Sequence, residues 1–330
     1  MDHEAGPVIG LDGWIPLGFD WDGPAPEVDW CHLGGMRFTE PFFENTMRRA
    51  MEQPARVLFR QKTTVDMLEE RARNHPGIPP TGFVFHMSRC GSTLISQMLA
   101  ASEENVVISE GWPIDAAISA DLRHPEITAE ERTRWLRGVV HALGQPRLGT
   151  ERRYFVKFDA THTIDLPLVR RAFPQVPWIF LYRDPVEVLV SQLRRRAAWT
   201  MPGIVRVRGV GLTAAAFAEP GEYVADLLAR ICESALEAGS EGGSMFVNYR
   251  ELPGAVYGRL ASHWGCPWYE GELQRMHVAA IRDAKQPEHV FSADSDRKQS
   301  EAGERVREIC SRKLGHLYRR LEGRASVTAR

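Results

Sequence analysis

The chain reads as an α/β protein of three layers, with helices on both faces of a mainly parallel central sheet, preceded by an irregular and partly helical N-terminal arm. Three observations predict this. From about residue 80 onward, short apolar runs alternate with longer stretches of helical periodicity, as strand–helix–strand units do. The first of these runs passes through a tight polar loop directly into a helical pattern. And 330 residues suffice to bury a large core, as one big domain or two smaller ones.

Taken in order, residues 1–35 are rich in Pro, Gly, Trp and Asp with weak periodicity, which predicts an irregular arm held to the body by Trp14, Trp21 and Trp30. Helical patterns follow at about 40–53 and 63–74, the second ended by Asn74-His75-Pro76-Gly77. Residues 1–80 are therefore expected to form a layer packed on the main domain of 81–330, serving as a cap or as a homodimer surface. Phe83-Val84-Phe85-His86-Met87, preceded by the breakers Pro79, Pro80 and Gly82, reads as a buried strand. From Ser92 on, Leu94, Ile95, Met98 and Leu99 recur at helical spacing. Asn105-Val106-Val107-Ile108-Ser109 is a second strand leading into Glu110-Gly111-Trp112-Pro113.

Thr128-Ala129-Glu130-Glu131 has the form of a capping box and opens a helix to about 143. Tyr154-Phe155-Val156-Lys157-Phe158 is a third strand, a helix spans about 164–173, and Trp178-Ile179-Phe180-Leu181-Tyr182 is a fourth strand. Asp184 reads as an N-cap, Pro185 as the first helical position and Glu187 as the capping-box partner. Residues 213–237 read as helical, Met245-Phe246-Val247-Asn248-Tyr249 as the fifth strand, and helices dominate from 251 onward.

Charged residues at 25% and a formal net charge of -2 give no reason to expect nucleic acid as a partner. Cys31, Cys90, Cys232, Cys266 and Cys310 are far apart, with no C-x-x-C pair, so neither a zinc site nor a disulfide framework is expected. The start, Met1-Asp2-His3-Glu4-Ala5-Gly6, lacks the apolar core of an export signal, and no run approaches eighteen apolar residues. The expectation is a reduced, soluble, cytoplasmic protein with no membrane partner.

In parallel sheets, ligands bind beyond the carboxyl ends of the strands. The polar residues there are Ser88 and Arg89, Glu110, Lys157, Arg183, and Tyr249 with Arg250. Strand, small polar loop and helix around 88–93 form the layout that aims backbone N–H groups and a helix dipole at a phosphate. Ser92 and Thr93 add hydroxyl donors, and Arg89 a permanent forked charge. The Walker pattern G-x-x-x-x-G-K-[ST] is absent: Ser92 follows Gly91, and His86 stands five residues before that glycine. A second cluster is Arg183-Asp184-Pro185-Val186-Glu187-Val188-Leu189-Val190-Ser191. Asp184 and Ser191, seven residues apart, share a helix face, and Arg183 just before it can reach the same phosphate as the Ser191 hydroxyl.

The 88–93 loop, with a basic residue before Gly91 and Ser-Thr after it, is similar to the 5′-phosphosulfate loop of sulfotransferases, whose core is Lys/Arg-Ser/Thr-Gly-Thr/Ser-Thr. The Arg183 to Ser191 segment resembles their 3′-phosphate segment, and the resemblance spans about 81–300. Arg89, Glu110 twenty-one residues later, and Lys157 ahead of Phe173-Pro174 resemble the tyrosylprotein sulfotransferase branch, within a wider bacterial sulfotransferase-like set.

This resemblance implies a P-loop three-layer fold and 3′-phosphoadenosine 5′-phosphosulfate as co-substrate, with no metal. It implies Arg89 and Lys157 at the transferring sulfuryl group and Glu110 as base. Ser88, Cys90, Gly91, Ser92 and Thr93 would surround the phosphosulfate, Arg183 and Ser191 the 3′-phosphate, Tyr249 the adenine, and Lys298 a late loop over the nucleotide. Cys90 replaces a small hydroxyl residue and is expected to offer its backbone N–H, a thiol being a weak donor. His86 is a rival base, read rather as a packed core histidine, and His162 is a second rival. Arg194-Arg195-Arg196 is read as a solvated helix end, with Arg195 facing the nucleotide as the alternative. Two other readings compete: a P-loop small-molecule kinase, which would need magnesium and the missing Gly-Lys-Ser/Thr, and a catalytically silent nucleotide-binding module. The acceptor is open among sugar, alcohol, phenol, amine and peptide.

Overall fold

The computed structural model describes residues 10–211 and 214–328. Its strands, in chain order, are β1 (Trp14–Asp20), β2 (Glu27–His32), β3 (Gln61–Thr64), β4 (Pro80–His86), β5 (Asn105–Ser109), β6 (Arg153–Lys157), β7 (Trp178–Tyr182) and β8 (Ser244–Asn248). The last five form one sheet in the order β5-β6-β4-β7-β8, every pair parallel. These strands are near-continuous apolar runs because helices cover both faces of the sheet; every residue of β5, β6 and β7 is buried. Aromatic rings lock the centre, with Phe85 stacked on Phe158 at 4.5 Å and Phe83 edge-on to the same ring at 5.2 Å.

After β4 the chain lays β5 and then β6 on one side, then crosses to β7 on the other. The loop leaving β4 therefore sits at the reversal of strand order, where such sheets open a crevice.

Capping chemistry sets the helix starts. At Thr128 the capping box is closed: its hydroxyl accepts from Glu131 N–H at 3.2 Å, and its own N–H donates to the Glu131 carboxylate at 2.8 Å. Asp184 accepts from the N–H groups of Val186 and Glu187, at 2.9 and 3.4 Å, and Pro185 takes the first helical position. Glu187 does not close a box there, because its carboxylate is bound by Arg183. The segment read as one helix over 164–173 is a 3-10 turn, Ala160–Asp165, followed by an α-helix, Leu166–Ala172. The segment read over 213–237 is divided at Pro220, which starts its own helix, Pro220–Ala238. Among the described residues no helix is long and apolar enough to cross a membrane.

Residues 1–9 of the arm lie outside the described residues, and from residue 10 on the arm is not irregular. β1, β2 and β3 pair antiparallel into a second sheet, and β3 occupies the start of what the periodicity assigns to a helix. Pro16 and Gly18 look like breakers in sequence, yet they flank a register shift within β1, the place in a strand that tolerates them. Of the three tryptophans expected to hold the arm to the body, Trp21 makes ring contacts with it, whereas Trp14 packs on His32 and Trp30 bonds Thr63 within the arm's own sheet. Trp30 is fully buried and donates to the Thr63 hydroxyl at 2.9 Å, while Trp21 stacks on His124 at 3.9 Å and lies 5.9 Å from Trp135.

Candidate active site

The loop after β4 is held by twisted backbone. Ser88, Arg89 and Gly91 have φ of 71°, 51° and 90°, and Glu110, just past β5, has 56°. Ser88, Arg89 and Glu110 are the non-glycine residues in the left-handed region among those described. Such conformations cost about 1–3 kcal/mol each and persist where surrounding structure over-determines them. Here Ser88 is fixed from two sides: its N–H donates to His86 Nδ1 at 3.0 Å, and its hydroxyl accepts from Gln192 Nε2 at 2.9 Å. Gly91 is required twice over, by its φ and because a Cβ would stand 2.8 Å from the Tyr249 ring. It also begins the Ser92–Ala100 helix without any side-chain cap, leaving that N-terminus to other acceptors.

His86 is buried at the end of β4 and borders the cavity described below. Its Nδ1 accepts from Ser88, so the ring proton lies on Nε2, which donates to the Phe158 carbonyl at 3.0 Å. Burial, aided by nearby Lys157, holds its pKa below the ordinary value despite Glu110 at 3.7 Å. The Lys157 side chain, 1% exposed, binds the Glu110 carboxylate. Burial alone would raise the Glu110 pKa, but Lys157 together with His86 more than offsets it and holds that carboxyl well below the usual range. Arg89 donates to the Arg195 carbonyl at 2.5 Å. The Cys90 thiol turns into the core, donating to the Leu181 carbonyl at 3.2 Å, and burial pushes it up to about 12.

Across the cleft, the Arg183 guanidinium lies 4.0 Å over the Tyr249 ring. Its Nε meets Glu187 at 2.5 Å, and its Nη2 meets Asp294 at 2.8 Å and Ser295 Oγ at 3.0 Å. Burial works against that charge, but the two carboxylates more than compensate and raise its pKa. Lys298 reaches Asp294 at 2.8 Å.

One cavity of about 930 Å³ joins these groups. Ser88, Arg89, Gly91, Ser92, Thr93 and Glu110 line it together with Arg183, Ser191, Tyr249 and Lys298. Of the residues singled out from sequence, Lys157 reaches it through Glu110, and the Cys90 side chain is turned away. The cationic run is not simply a solvated helix end: Arg195 lines the cavity, and Arg196 donates to the Thr200 carbonyl. His162 is not among the lining residues; its Nδ1 accepts from the Asp159 N–H at 3.3 Å and its Nε2 donates to Asp115 at 3.0 Å. Burial lowers its pKa, but Asp115 more than offsets this and raises it. Among the described residues no His, Cys, Asp and Glu cluster has the form of a metal site.

Sequence reasoning missed Gln192, Phe42, Lys285 and Asp294. Gln192 had a signal, a lone amide among apolar helix residues one position past Ser191. The other three sit in loops far from any strand end of the sheet, so only tertiary packing reveals them.

A family model described as the sulfotransferase family matches residues 80–270, more than half of the chain. The chain belongs to the sulfotransferase family. No curated protein matches it in sequence. Among solved structures it is similar to sulfotransferase STF1 from Mycobacterium tuberculosis H37Rv, with a TM-score of 0.47 at 14% identity over 76% of this chain and 81% of that one. Sulfotransferase STF9 from Mycobacterium avium gives 0.46 at 14% identity, over 76% and 81% of the two chains. A sulfotransferase from Alicyclobacillus acidocaldarius gives 0.42 at 13%, over 76% and 99%.

Proposed function

We propose that this sulfotransferase moves a sulfuryl group from 3′-phosphoadenosine 5′-phosphosulfate to an acceptor hydroxyl or amine by in-line displacement, without a metal ion. The observation that carries this reading is that two anion-binding clusters stand at either side of one tyrosine ring. Tyr249 packs against Gly91 of the 88–93 loop on one hand and under the Arg183 guanidinium on the other. A ligand with two phosphate groups flanking an aromatic base suits that arrangement, and the uncapped Ser92–Ala100 helix supports a phosphate at the loop.

Bound there, the donor supplies a sulfur already activated by its phosphoanhydride bond. The protein's part is electrostatic. Arg89 and the loop donors hold the 5′-phosphosulfate, and Arg183 with Ser191 holds the 3′-phosphate. A bound anion competes with Glu110 for Lys157; as that pair loosens, the Glu110 carboxyl rises toward its ordinary value of about 4.3 and can take a proton. The acceptor lone pair forms the new bond to sulfur while the bond from sulfur to the bridging oxygen breaks, its electron pair staying on the 5′-phosphate. The acceptor proton goes to a Glu110 oxygen.

A thermal-shift series tests this against its rivals. Stabilisation by adenosine 3′,5′-bisphosphate without magnesium, followed by sulfuryl transfer to a hydroxyl or amine, is the expected result. Magnesium-dependent stabilisation by ADP would instead identify a kinase. Binding without turnover across a broad acceptor panel would identify a silent nucleotide-binding module.

A further inference from the structure

The segment 281–291 forms a closed hairpin at the cavity mouth. Arg282 bridges to Val290, Phe291 N–H donates to the Ile281 carbonyl at 2.9 Å, and Asp283 N–H to the His289 carbonyl at 2.8 Å. The Asp283 carboxylate accepts the N–H groups of Lys285 and Gln286 at 2.9 and 3.0 Å, fixing the turn. This hairpin carries Lys285 to the cavity that Arg89 and Glu110 line. The Lys285 ammonium lies 6.0 Å from the centre of the Phe42 ring, and the Lys157 ammonium lies 5.2 Å from the same ring. Among the described residues it makes no hydrogen bond and no ion pair, whereas Lys157 is held by Glu110, and Arg183 and Lys298 by Asp294.

We propose that Lys285 is a further donor-binding and catalytic cation, its ammonium closing on the sulfuryl end of the nucleotide and sharing with Arg89 the negative charge left on the 5′-phosphate as sulfur transfers. This rests on the donor reading of the cavity. Arg89, Lys157 and Arg195 face Lys285 as cations against the Glu110 carboxylate, a positive excess that suits the doubly negative phosphosulfate end of the donor. Arg195, like Arg89, also lines the adjoining pocket with Ser191 and Lys298, and on the Phe43–Met51 helix Arg48 is paired with Glu44 at 3.1 Å.

Burial within the cleft, then Arg89 and Lys157, push the Lys285 ammonium down to about 8 although its surface is open to the cavity. An anion in contact with it reverses that push, so binding takes up a proton wherever Lys285 was neutral. Affinity for the nucleotide therefore falls as pH rises past about 8.

The test is titration calorimetry at pH 8 in buffers of different ionisation enthalpy, using adenosine 3′,5′-bisphosphate and adenosine 3′-phosphate. Wild type is expected to take up about half a proton with the bisphosphate and none through Lys285 with the 3′-phosphate. Lys285→Arg, charged throughout, should keep the affinity and lose that uptake. Lys285→Met should lose the uptake and bind the bisphosphate roughly tenfold to a hundredfold more weakly, as for a lost charge-assisted hydrogen bond. Uptake that persists in Lys285→Met, or that is as large with the 3′-phosphate, overturns the proposal while leaving the donor reading intact. Absence of bisphosphate binding in every variant overturns the donor reading and this inference with it.

Discussion

At one end of the cavity, among the described residues, the Arg89 guanidinium meets a backbone carbonyl and the Lys285 ammonium meets no hydrogen-bond partner, on a loop and a hairpin shaped by backbone twist and turn hydrogen bonds. At the other end Arg183 and Lys298 are already satisfied, by Glu187, Ser295 and above all Asp294, which touches both cations. Beside the Lys157–Glu110 pair, the first end presents two cations without a carboxylate partner to an incoming anion. The second must exchange a carboxylate for a phosphate. Preorganised cations act at full strength, whereas cations that first part from a buried acid return only the difference between two favourable pairings. The contrast predicts that chemistry concentrates at the loop end and that affinity at the far end is adjustable.

The largest expected effect comes from Glu110→Gln, which keeps the shape and removes the proposed proton acceptor. Turnover should fall roughly 10²–10⁴-fold, while adenosine 3′,5′-bisphosphate binds as well or better because Lys157 is released. A variant with near wild-type turnover would show that the proton goes elsewhere. Arg89→Ala should come next, lowering turnover roughly 10²–10³-fold and weakening nucleotide binding together; unchanged affinity and rate would erase the distinction between the two ends.

Asp294→Asn sharpens the contrast from the other side. Without its charge Arg183 and Lys298 lose a competitor, so calorimetry should show adenosine 3′,5′-bisphosphate bound up to roughly tenfold tighter, about 1.4 kcal/mol. Weaker binding would mean that Asp294 orders this end rather than occupying it. The smallest effect lies outside both ends. The raised pKa of His162 means that its pairing with Asp115 stabilises the fold below about pH 6.5 and that this contribution is lost as pH rises through the higher folded value. His162→Gln should therefore destabilise the protein at pH 6 and much less at pH 9. The loss should stay under about 1 kcal/mol since Asp115 is largely solvent-exposed, and turnover should be untouched.

What could be read from residues alone follows from how local each signal is. The five sheet strands are apolar runs bounded by breakers, and their ends name Arg89, Glu110, Lys157 and Arg183 before any coordinates. β1 escaped because a bulge puts Pro16 and Gly18 inside a strand, where a local reading takes them for loop residues. Glu187 was legible in two ways: as a capping-box partner of Asp184, and as the fourth residue after Arg183 on a helix face. The structure shows that the second pairing wins, since a buried guanidinium needs a carboxylate more than a backbone N–H does. Lys285 and Asp294 carry no local signal; folding brings them to the cavity over a separation that no periodicity reports.

The left-handed backbone at Ser88, Arg89 and Glu110 sets a conflict at the rim of the sheet. Glycine would adopt each of those twists with little strain, so drift toward an easier fold at these positions removes a hydroxyl, a guanidinium or a carboxylate from the cleft. At these three positions the chain accepts a less comfortable backbone and gains polar groups at the rim of the cleft.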